Sequence, residues 1–481
     1  MERSVGPAAW RGQCLETDTI AAMSAVRRPN VLVILIDDLR FDECGITGHP
    51  YMKTPHIDRL GHEGAVFTNA FHTTPLCSPN RACILTGQYA SRHGIIDNVG
   101  RDQASHRLAN YHVTLQALGY ETAHVGKWHM GNDASPRPGY DAWVSFPGQG
   151  KLVDPELWED GALRPARGYM TDLLNERAVA FLRRPRTKPF ALFLAHKAVH
   201  PDIIQRQDGR MDESWIGGYV LPERHRDLYA GSHYPPRPSV RPLEEVAKEK
   251  PALRTLFAER AKPASQAILA KMDAGTQEEI RKRAAMMASV DEGVGMVREA
   301  LEATGRLDDT CIVFLGDNGF FFGEHGLTVE RRFAYEEGIR TPFLVRYPPR
   351  IAAGATIEPM VIALDIAPTL IELAGGRPGP HVQGRSFVPL LDGKTDGWRR
   401  SFFVEYYSEG AWPWLVGMGY RAVRTERHKY IRWTHHDLSE LYDLSRDPYE
   451  MTNLAGDPAH ATLRADLNDE LRRLAADAFG L

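Results

Sequence analysis

The sequence predicts an α/β fold in which helices flank a large, mostly parallel central sheet, followed by a small antiparallel sheet with a helix. Short apolar runs alternate with helical patterns along most of the chain, and the alternation stops near residue 400. Strands that alternate with helices indicate a parallel sheet, because each parallel connection has to cross back over the sheet. The 481 residues, 43% of them hydrophobic, are enough for a large core and more than one domain.

Five apolar runs predict buried parallel strands over 31–36, 122–125, 190–195, 311–315 and 343–345. Helical patterns lie between them, over about 171–182 and 277–303. Residues 203–265 are rich in Pro, Arg and His and predict a long insertion without strands or helices. Such an insertion either walls a substrate pocket or is a solvated surface excursion.

The last part of the chain has a different pattern. Short strands are predicted over 402–407, 420–424, 429–433 and 440–444, and a charged helix over about 459–478. We therefore divide the chain into a disordered N-terminal extension (1–28), a catalytic α/β domain (29–398) and a C-terminal α+β subdomain (399–481).

Charge and cysteine content exclude several classes of protein. The net charge of -4 gives no basic surface for nucleic acid, and no apolar run is long enough to span a membrane. Five cysteines without a C-x-x-C pair argue against a disulfide framework and structural zinc. Residues 1–28 lack a convincing signal peptide, so we expect a cytoplasmic protein, with export as the alternative. The oligomeric state is not indicated.

Polar side chains follow four of the predicted strands. They are Asp37 and Asp38, Lys127 and His129, Lys197 and His200, and Asp317 and Asn318. Ligands of open α/β sheets bind beyond the carboxyl ends of the strands, so these side chains are expected to meet at one edge. The four Asp and Asn side chains offer hard oxygen ligands that suit Ca²⁺ or Mg²⁺ rather than zinc. The alternative is two acidic pairs that merely cap loops.

The segment 77–81 has the pattern C-x-P-x-R. Ser78 is a suitable helix N-cap and Pro79 suits the first helical position, which places Cys77 just before a helix N-terminus. An anion is stabilised there, and Arg81 adds a planar donor for a tetrahedral oxyanion. The alternative is a buried cysteine near a helix start with a solvated arginine.

These segments resemble those of the type I, formylglycine-dependent sulfatases. The resemblance rests on C-x-P-x-R with the following L-T-G, on G-K-W-H at 126–129, on residues 196–201 and on the two acidic pairs. It is strongest to bacterial arylsulfatase A-like and N-acetylglucosamine-6-sulfatase-like proteins. It implies an alkaline-phosphatase-like sandwich and oxidation of Cys77 to formylglycine by a separate maturation enzyme. It also implies a calcium ion, with magnesium as the alternative, held by Asp37, Asp38, Asp317 and Asn318.

The resemblance also implies roles for the remaining residues. A hydroxyl of the formylglycine hydrate attacks sulfur, His200 protonates the leaving alcohol, and His129 takes the proton when sulfate is expelled. Arg81 and Lys127 stabilise charge, and Lys197 contacts sulfate or substrate. Arg331 stands where the family commonly has a sulfate-binding lysine.

The resulting hypothesis is hydrolysis of a small sulfate ester, on a sulfated carbohydrate or an aryl alcohol, to the alcohol and inorganic sulfate. Two alternatives stay open at the level of sequence. One is a phosphate or phosphonate ester hydrolase of the same superfamily, because the esters share their shape. The other is a non-catalytic homologue that binds sulfated sugars, which an unmodified Cys77 would favour.

Overall fold

The computed structural model describes residues 28–272 and 275–481, so residues 1–27 of the predicted extension lie outside the described residues. The strands are β1 (Asn30–Ile36), β2 (Ala65–Phe67), β3 (Ala70–Phe71), β4 (Glu121–Gly126), β5 (Ala142–Val144), β6 (Glu156–Glu159), β7 (Ala162–Pro165), β8 (Phe190–His196), β9 (Ile203–Gln205), β10 (Met211–Ile216), β11 (Thr310–Gly316), β12 (Phe343–Arg346), β13 (Ala355–Ile357), β14 (Val361–Ile362), β15 (Ser401–Tyr406), β16 (Tyr420–Thr425), β17 (His428–Trp433) and β18 (Ser439–Asp443). The α-helices are α1 (Pro55–His62), α2 (Cys77–Thr86), α3 (Ala90–His93), α4 (Asp102–Ser105), α5 (Tyr111–Ala117), α6 (Met170–Arg183), α7 (Leu243–Glu249), α8 (Leu253–Arg260), α9 (Pro263–Leu269), α10 (Gln277–Ala303), α11 (Glu336–Ile339), α12 (Ile366–Leu373), α13 (Val388–Leu391) and α14 (Ala461–Phe479).

The central sheet has eight strands in the order β13-β2-β12-β11-β1-β8-β4-β5. Strand β1 pairs in parallel with both β11 and β8, and β4 pairs in parallel with β8 and β5. Alternate residues of β1 enter two different hydrophobic clusters, one on each face of the sheet. Burial on both faces explains the unbroken apolar run of this strand. The predicted α/β class with a mostly parallel sheet is confirmed.

The prediction for 343–345 was wrong in direction, because β12 pairs antiparallel with both β11 and β2. A parallel neighbour would need a crossover that returns the chain to the opposite end of the sheet. Residues 317–342 instead stay at the carboxyl end of β11, where they form α11 and loops. The chain therefore enters β12 from the same end at which β11 finishes, and Leu315 pairs with Phe343.

The prediction that 203–265 lacks regular structure was also wrong. The segment contains the antiparallel hairpin β9–β10 and the helices α7, α8 and the start of α9. These elements are short and mostly polar, so the sequence shows little periodicity. Their few apolar residues, among them Val246, Leu253 and Leu256, are buried against the core of the C-terminal part of the chain.

The C-terminal part is an antiparallel sheet in the order β15-β16-β17-β18, with α14 packed on β15 and β16. Its aromatic side chains share one hydrophobic cluster with Phe321, Phe333 and Tyr335 from the segment after β11. This sheet therefore supports the loops at the carboxyl edge of the central sheet. Among the described residues, no helix is both long and apolar enough to cross a membrane.

Candidate active site

The carboxyl ends of four neighbouring strands form one edge of the central sheet. The register places Ile36 of β1 beside both Gly316 of β11 and His196 of β8, and Gly126 of β4 beside Ala195. The residues that follow these strand ends are those that the sequence predicted to meet. They are Asp37 and Asp38, Lys127 and His129, Lys197 and His200, and Asp317 and Asn318, and all are buried.

Helix α2 places Cys77 at this edge of the sheet. The helix begins at Cys77 after an extended Leu76, and no side chain caps it, so the predicted N-cap role of Ser78 is wrong. The Ser78 hydroxyl is instead drawn into a hydrogen bond with the His129 carbonyl oxygen. Cys77 is 1% exposed and its Sγ lies 3.9 Å from Asp38 Oδ1. Burial and the nearby Asp37 raise the pKa of the Cys77 thiol well above its usual value.

A cluster of buried oxygens faces Cys77. The Asp38 backbone N–H donates to Asp317 Oδ1 (2.9 Å), and Asn318 Nδ2 donates to Asp38 Oδ1 (2.8 Å). Four atoms, which are Cys77 Sγ and one carboxylate oxygen each from Asp37, Asp38 and Asp317, all lie within 4.8 Å of one another. Burial and the neighbouring Asp37 raise the pKa of Asp317 to about 8.

These oxygens fit a hard divalent cation. Asp37 Oδ1, Asp38 Oδ2 and Asn318 Oδ1 are buried and accept no hydrogen bond from the described residues. Orphaned buried oxygens cost free energy unless a cation or a donor satisfies them. The donor set is entirely oxygen apart from Cys77, which favours calcium or magnesium over zinc.

Three cationic side chains surround the carboxylates. Arg81 donates from Nε to Asp317 Oδ2 (2.9 Å) and from Nη1 to the Lys127 carbonyl oxygen (2.6 Å). Lys127 Nζ contacts Asp37 Oδ2, and Arg331 Nε lies 2.8 Å from Asp38 Oδ1. The three carboxylates are thus balanced by three cations, and a bound divalent cation would leave net positive charge for an anionic ester.

His129 is oriented by a pair of glutamines that the sequence analysis missed. Gln205 Nε2 donates to the Gly209 carbonyl oxygen (2.6 Å), which turns Gln205 Oε1 toward His129 Nε2 (3.0 Å). Because this oxygen accepts, the neutral imidazole carries its proton on Nε2 and leaves Nδ1 as the basic nitrogen. Gln149 joins the chain by donating to Gln205 Oε1 (3.3 Å) and accepting from Lys127 Nζ (2.5 Å).

Two further predicted residues lie on the turn after β8. His200 Nδ1 donates to the Pro201 carbonyl oxygen (2.8 Å), and its Nε2 has no hydrogen-bond partner among the described residues. Lys197 Nζ donates to the same carbonyl (3.1 Å), and burial together with Lys127 lowers the pKa of Lys197 to about 8. The pKa of His200 is also lowered, chiefly by burial.

No motif could have identified Gln149 and Gln205. Both are neutral amides outside any recognisable pattern, in the loop after β5 and in β9. Their importance comes from the atoms they touch, which only the folded chain shows. The fold and the edge of buried oxygens, cations and histidines are those of an enzyme that hydrolyses charged esters.

Comparison with known proteins identifies the class further. The family model named sulfatase matches residues 29–376, and the model named N-sulphoglucosamine sulphohydrolase, C-terminal, matches 323–477. The chain is 31% identical to an N-acetylglucosamine-6-O-sulfatase of Bacteroides thetaiotaomicron, over 92% of this chain and 85% of that protein. It is 29% identical to human arylsulfatase A, over 92% and 86% of the two chains.

Solved structures agree with this relationship. A protein solved in complex with its substrate D-glucosamine-2-N,6-O-disulfate superposes with a TM-score of 0.79 at 28% identity, over 94% of this chain and 98% of the other. A phosphonate monoester hydrolase of Agrobacterium radiobacter superposes with a TM-score of 0.73 at 24% identity, over 94% and 96%, which shows the shared fold. The chain belongs to the sulfatase family. It is a sulfuric ester hydrolase.

Proposed function

We propose that the protein hydrolyses a small sulfate ester with an aldehyde derived from Cys77 and a calcium ion. One observation carries this proposal. Cys77, three buried side-chain oxygens without hydrogen bonds and three cationic side chains lie together at one edge of the sheet. The proposed cation ligands are Asp37, Asp38, Asp317 and Asn318. Calcium accepts an irregular set of oxygen ligands more readily than magnesium does.

Residue 77 would be the nucleophile. Formylglycine, as a hydrate, supplies one hydroxyl to attack sulfur and a second whose deprotonation restores the aldehyde. Because Cys77 is 1% exposed, a maturation enzyme would have to reach this residue before the chain folds. The calcium ion would lower the energy of negative charge on the sulfate oxygens.

The cations would hold the sulfate group. Arg81 and Lys127 lie beside Asp37, and Arg331 Nε lies 2.8 Å from Asp38 Oδ1. Their positive charge opposes the charge that develops on the oxygens as the ester bond breaks. Lys197 would contact the sulfate or the substrate, because one of its three N–H groups donates to the Pro201 carbonyl oxygen and the others stay available.

The two histidines would move the protons. His200, once doubly protonated by a proton taken up from solvent as the anionic ester binds, would deliver that proton from Nε2 to the ester oxygen as the S–O bond breaks and the alcohol leaves, while its Nδ1–H stays bonded to the Pro201 carbonyl oxygen. His129 would take a proton through Nδ1 when sulfate leaves. Over the cycle one water is consumed, and alcohol and hydrogen sulfate are released.

The relatives indicate two kinds of substrate. Those described above act on N-acetylglucosamine 6-O-sulfate by name, or are called arylsulfatase. We propose a small sulfated molecule, either a sulfated saccharide or an aryl sulfate, as the substrate of this chain.

The test is sulfate release by protein co-expressed with a formylglycine-generating enzyme. We expect turnover of 4-methylumbelliferyl sulfate that calcium sustains, a residue-77 peptide with the mass of formylglycine, and no turnover by Cys77→Ala. The phosphonate monoester 4-nitrophenyl phenylphosphonate as substrate tests the alternative activity. Faster cleavage of the phosphonate, or full activity in Cys77→Ala, would contradict the proposal.

A further inference from the structure

A narrow, mostly apolar pocket opens beside His200 and Arg331, where the alcohol part of a bound sulfate ester would lie. Its wall is assembled from the hairpin β9–β10, Met272, the loop after β11 and the C-terminal part of the chain. The apolar side chains that line it include Ile203, Met211, Ile216, Met272, Val329 and Trp412.

Two polar side chains of this cavity, Tyr219 and Glu279, already have hydrogen-bond partners. The Tyr219 hydroxyl donates to Glu279 Oε1 (2.9 Å), and the other Glu279 oxygen accepts from the Gly275 backbone N–H. Arg331 Nε faces Asp38 (2.8 Å) at the end where the sulfate would sit. Among the described lining residues, His200 Nε2 and Arg331 Nε make no hydrogen bond, and Arg331 Nε is ion-paired with Asp38.

We propose that this cavity selects sulfate esters of apolar alcohols and disfavours sulfated sugars. The proposal rests on the proposed function and narrows its substrate. The cavity has a polar end, formed by the Arg331 guanidinium and the His200 imidazole, and an apolar body formed by Met211, Val329 and Trp412. An ester with a charged sulfate and an apolar ring or chain matches this division.

A sugar fits this cavity poorly for two reasons. Each hydroxyl buried without a hydrogen-bond partner costs about 1–3 kcal/mol, and a hexose 6-sulfate would bring several hydroxyls to Met211, Val329 and Trp412. A second sulfate would approach the carboxylate of Glu279, which repels it. The cavity is therefore unlike one built for a disulfated amino sugar.

The test compares two primary sulfate esters on six-membered rings, cyclohexylmethyl sulfate and N-acetylglucosamine-6-sulfate, so that the leaving alcohols have similar basicity. We expect kcat/KM to be on the order of 100-fold higher for cyclohexylmethyl sulfate. Equal or higher kcat/KM for the sugar would overturn the cavity proposal while leaving the proposed function intact. Failure to release sulfate from either ester and from 4-methylumbelliferyl sulfate would overturn both.

Variants of the cavity wall distinguish an effect on binding of the alcohol from an effect on the reacting groups. Met211→Gln should lower kcat/KM for cyclohexylmethyl sulfate about tenfold or more, because a buried amide replaces an apolar wall. The loss of kcat/KM should be much smaller for ethyl sulfate, because its alcohol presents far less apolar surface to this wall. Met296→Gln, at a position 38% exposed on α10, is the matched control. Val329→Thr adds one hydroxyl with little change in shape and serves if Met211→Gln folds poorly.

The variants also have contradicting outcomes. An equal loss for ethyl sulfate and cyclohexylmethyl sulfate in Met211→Gln and Val329→Thr would mean that the substitutions disturb the reacting groups. Unchanged kcat/KM for cyclohexylmethyl sulfate in both variants would mean that the alcohol does not enter this cavity. Either result would overturn the proposal.

Discussion

Replacing Arg331 tests how one side chain serves both the acidic cluster and the substrate. Arg331 is 5% exposed, and its Nε lies 2.8 Å from Oδ1 of the fully buried Asp38. Removing one partner of such a buried pair typically costs about 3–5 kcal/mol, because the other charge is left uncompensated. In Arg331→Met we expect a loss of unfolding free energy of this size when calcium is removed, and a smaller loss when calcium is bound to Asp38.

Activity should respond differently from stability. If Arg331 also contacts the sulfate, Arg331→Met should lower kcat/KM by roughly 10²–10³. Arg331→Lys keeps the charge but loses the planar donor pair, so we expect it to recover most of the activity, to within about tenfold.

The assay is urea unfolding with and without calcium, alongside sulfate release at saturating calcium. Arg331→Lys is the matched control for charge. Arg331→Met with activity within about threefold of the parent would refute a sulfate contact, since a lost charge contact typically costs far more. Equal destabilisation with and without calcium would refute the idea that the cation and Arg331 share Asp38.

Three further perturbations test other parts of the site. Chelation with EGTA should lower both activity and thermal stability, calcium should restore both, and Asp317→Asn should abolish the calcium response. Gln205→Glu would place a carboxylate at His129 Nε2 and raise the pKa of His129, so the rising limb of the pH profile of kcat should move to higher pH, whereas Gln205→Met should lower kcat without this displacement. Gly126→Ala would set a Cβ 1.9 Å from a β8 carbonyl oxygen and should cost about 3 kcal/mol or more of unfolding free energy, whereas Gly119→Ala, which meets nothing within 4 Å, should cost only about 1 kcal/mol.

Much of the candidate site could be anticipated because it follows strand ends. The strands β1, β4, β8 and β11 are short apolar runs buried on both faces, and such runs are visible in the sequence. Their carboxyl ends meet in any parallel sheet, so Asp37, Lys127, His200 and Asp317 were predicted to lie together without knowledge of their distances. In the structure these four side chains lie close together.

Other contacts depend on the path of the chain. The sequence does not show that β12 runs antiparallel, because apolar burial is the same in either direction. Ser78 is a residue type that commonly caps helices, yet its hydroxyl donates a hydrogen bond to the nearby His129 carbonyl oxygen instead. Gln205 has no motif, and its role follows from the fold of an insertion with weak periodicity.

The sequence by itself determined the fold class, the kind of chemistry and the residue types available for it, because these depend on local burial patterns and short motifs. The tertiary structure alone decided which polar atoms stay unpartnered and what lines the alcohol cavity. Met211, Val329 and Trp412 lie far apart in the chain and meet only when the insertion, the loop after β11 and the C-terminal part pack together. Long-range packing of this kind leaves no periodic trace in any one segment.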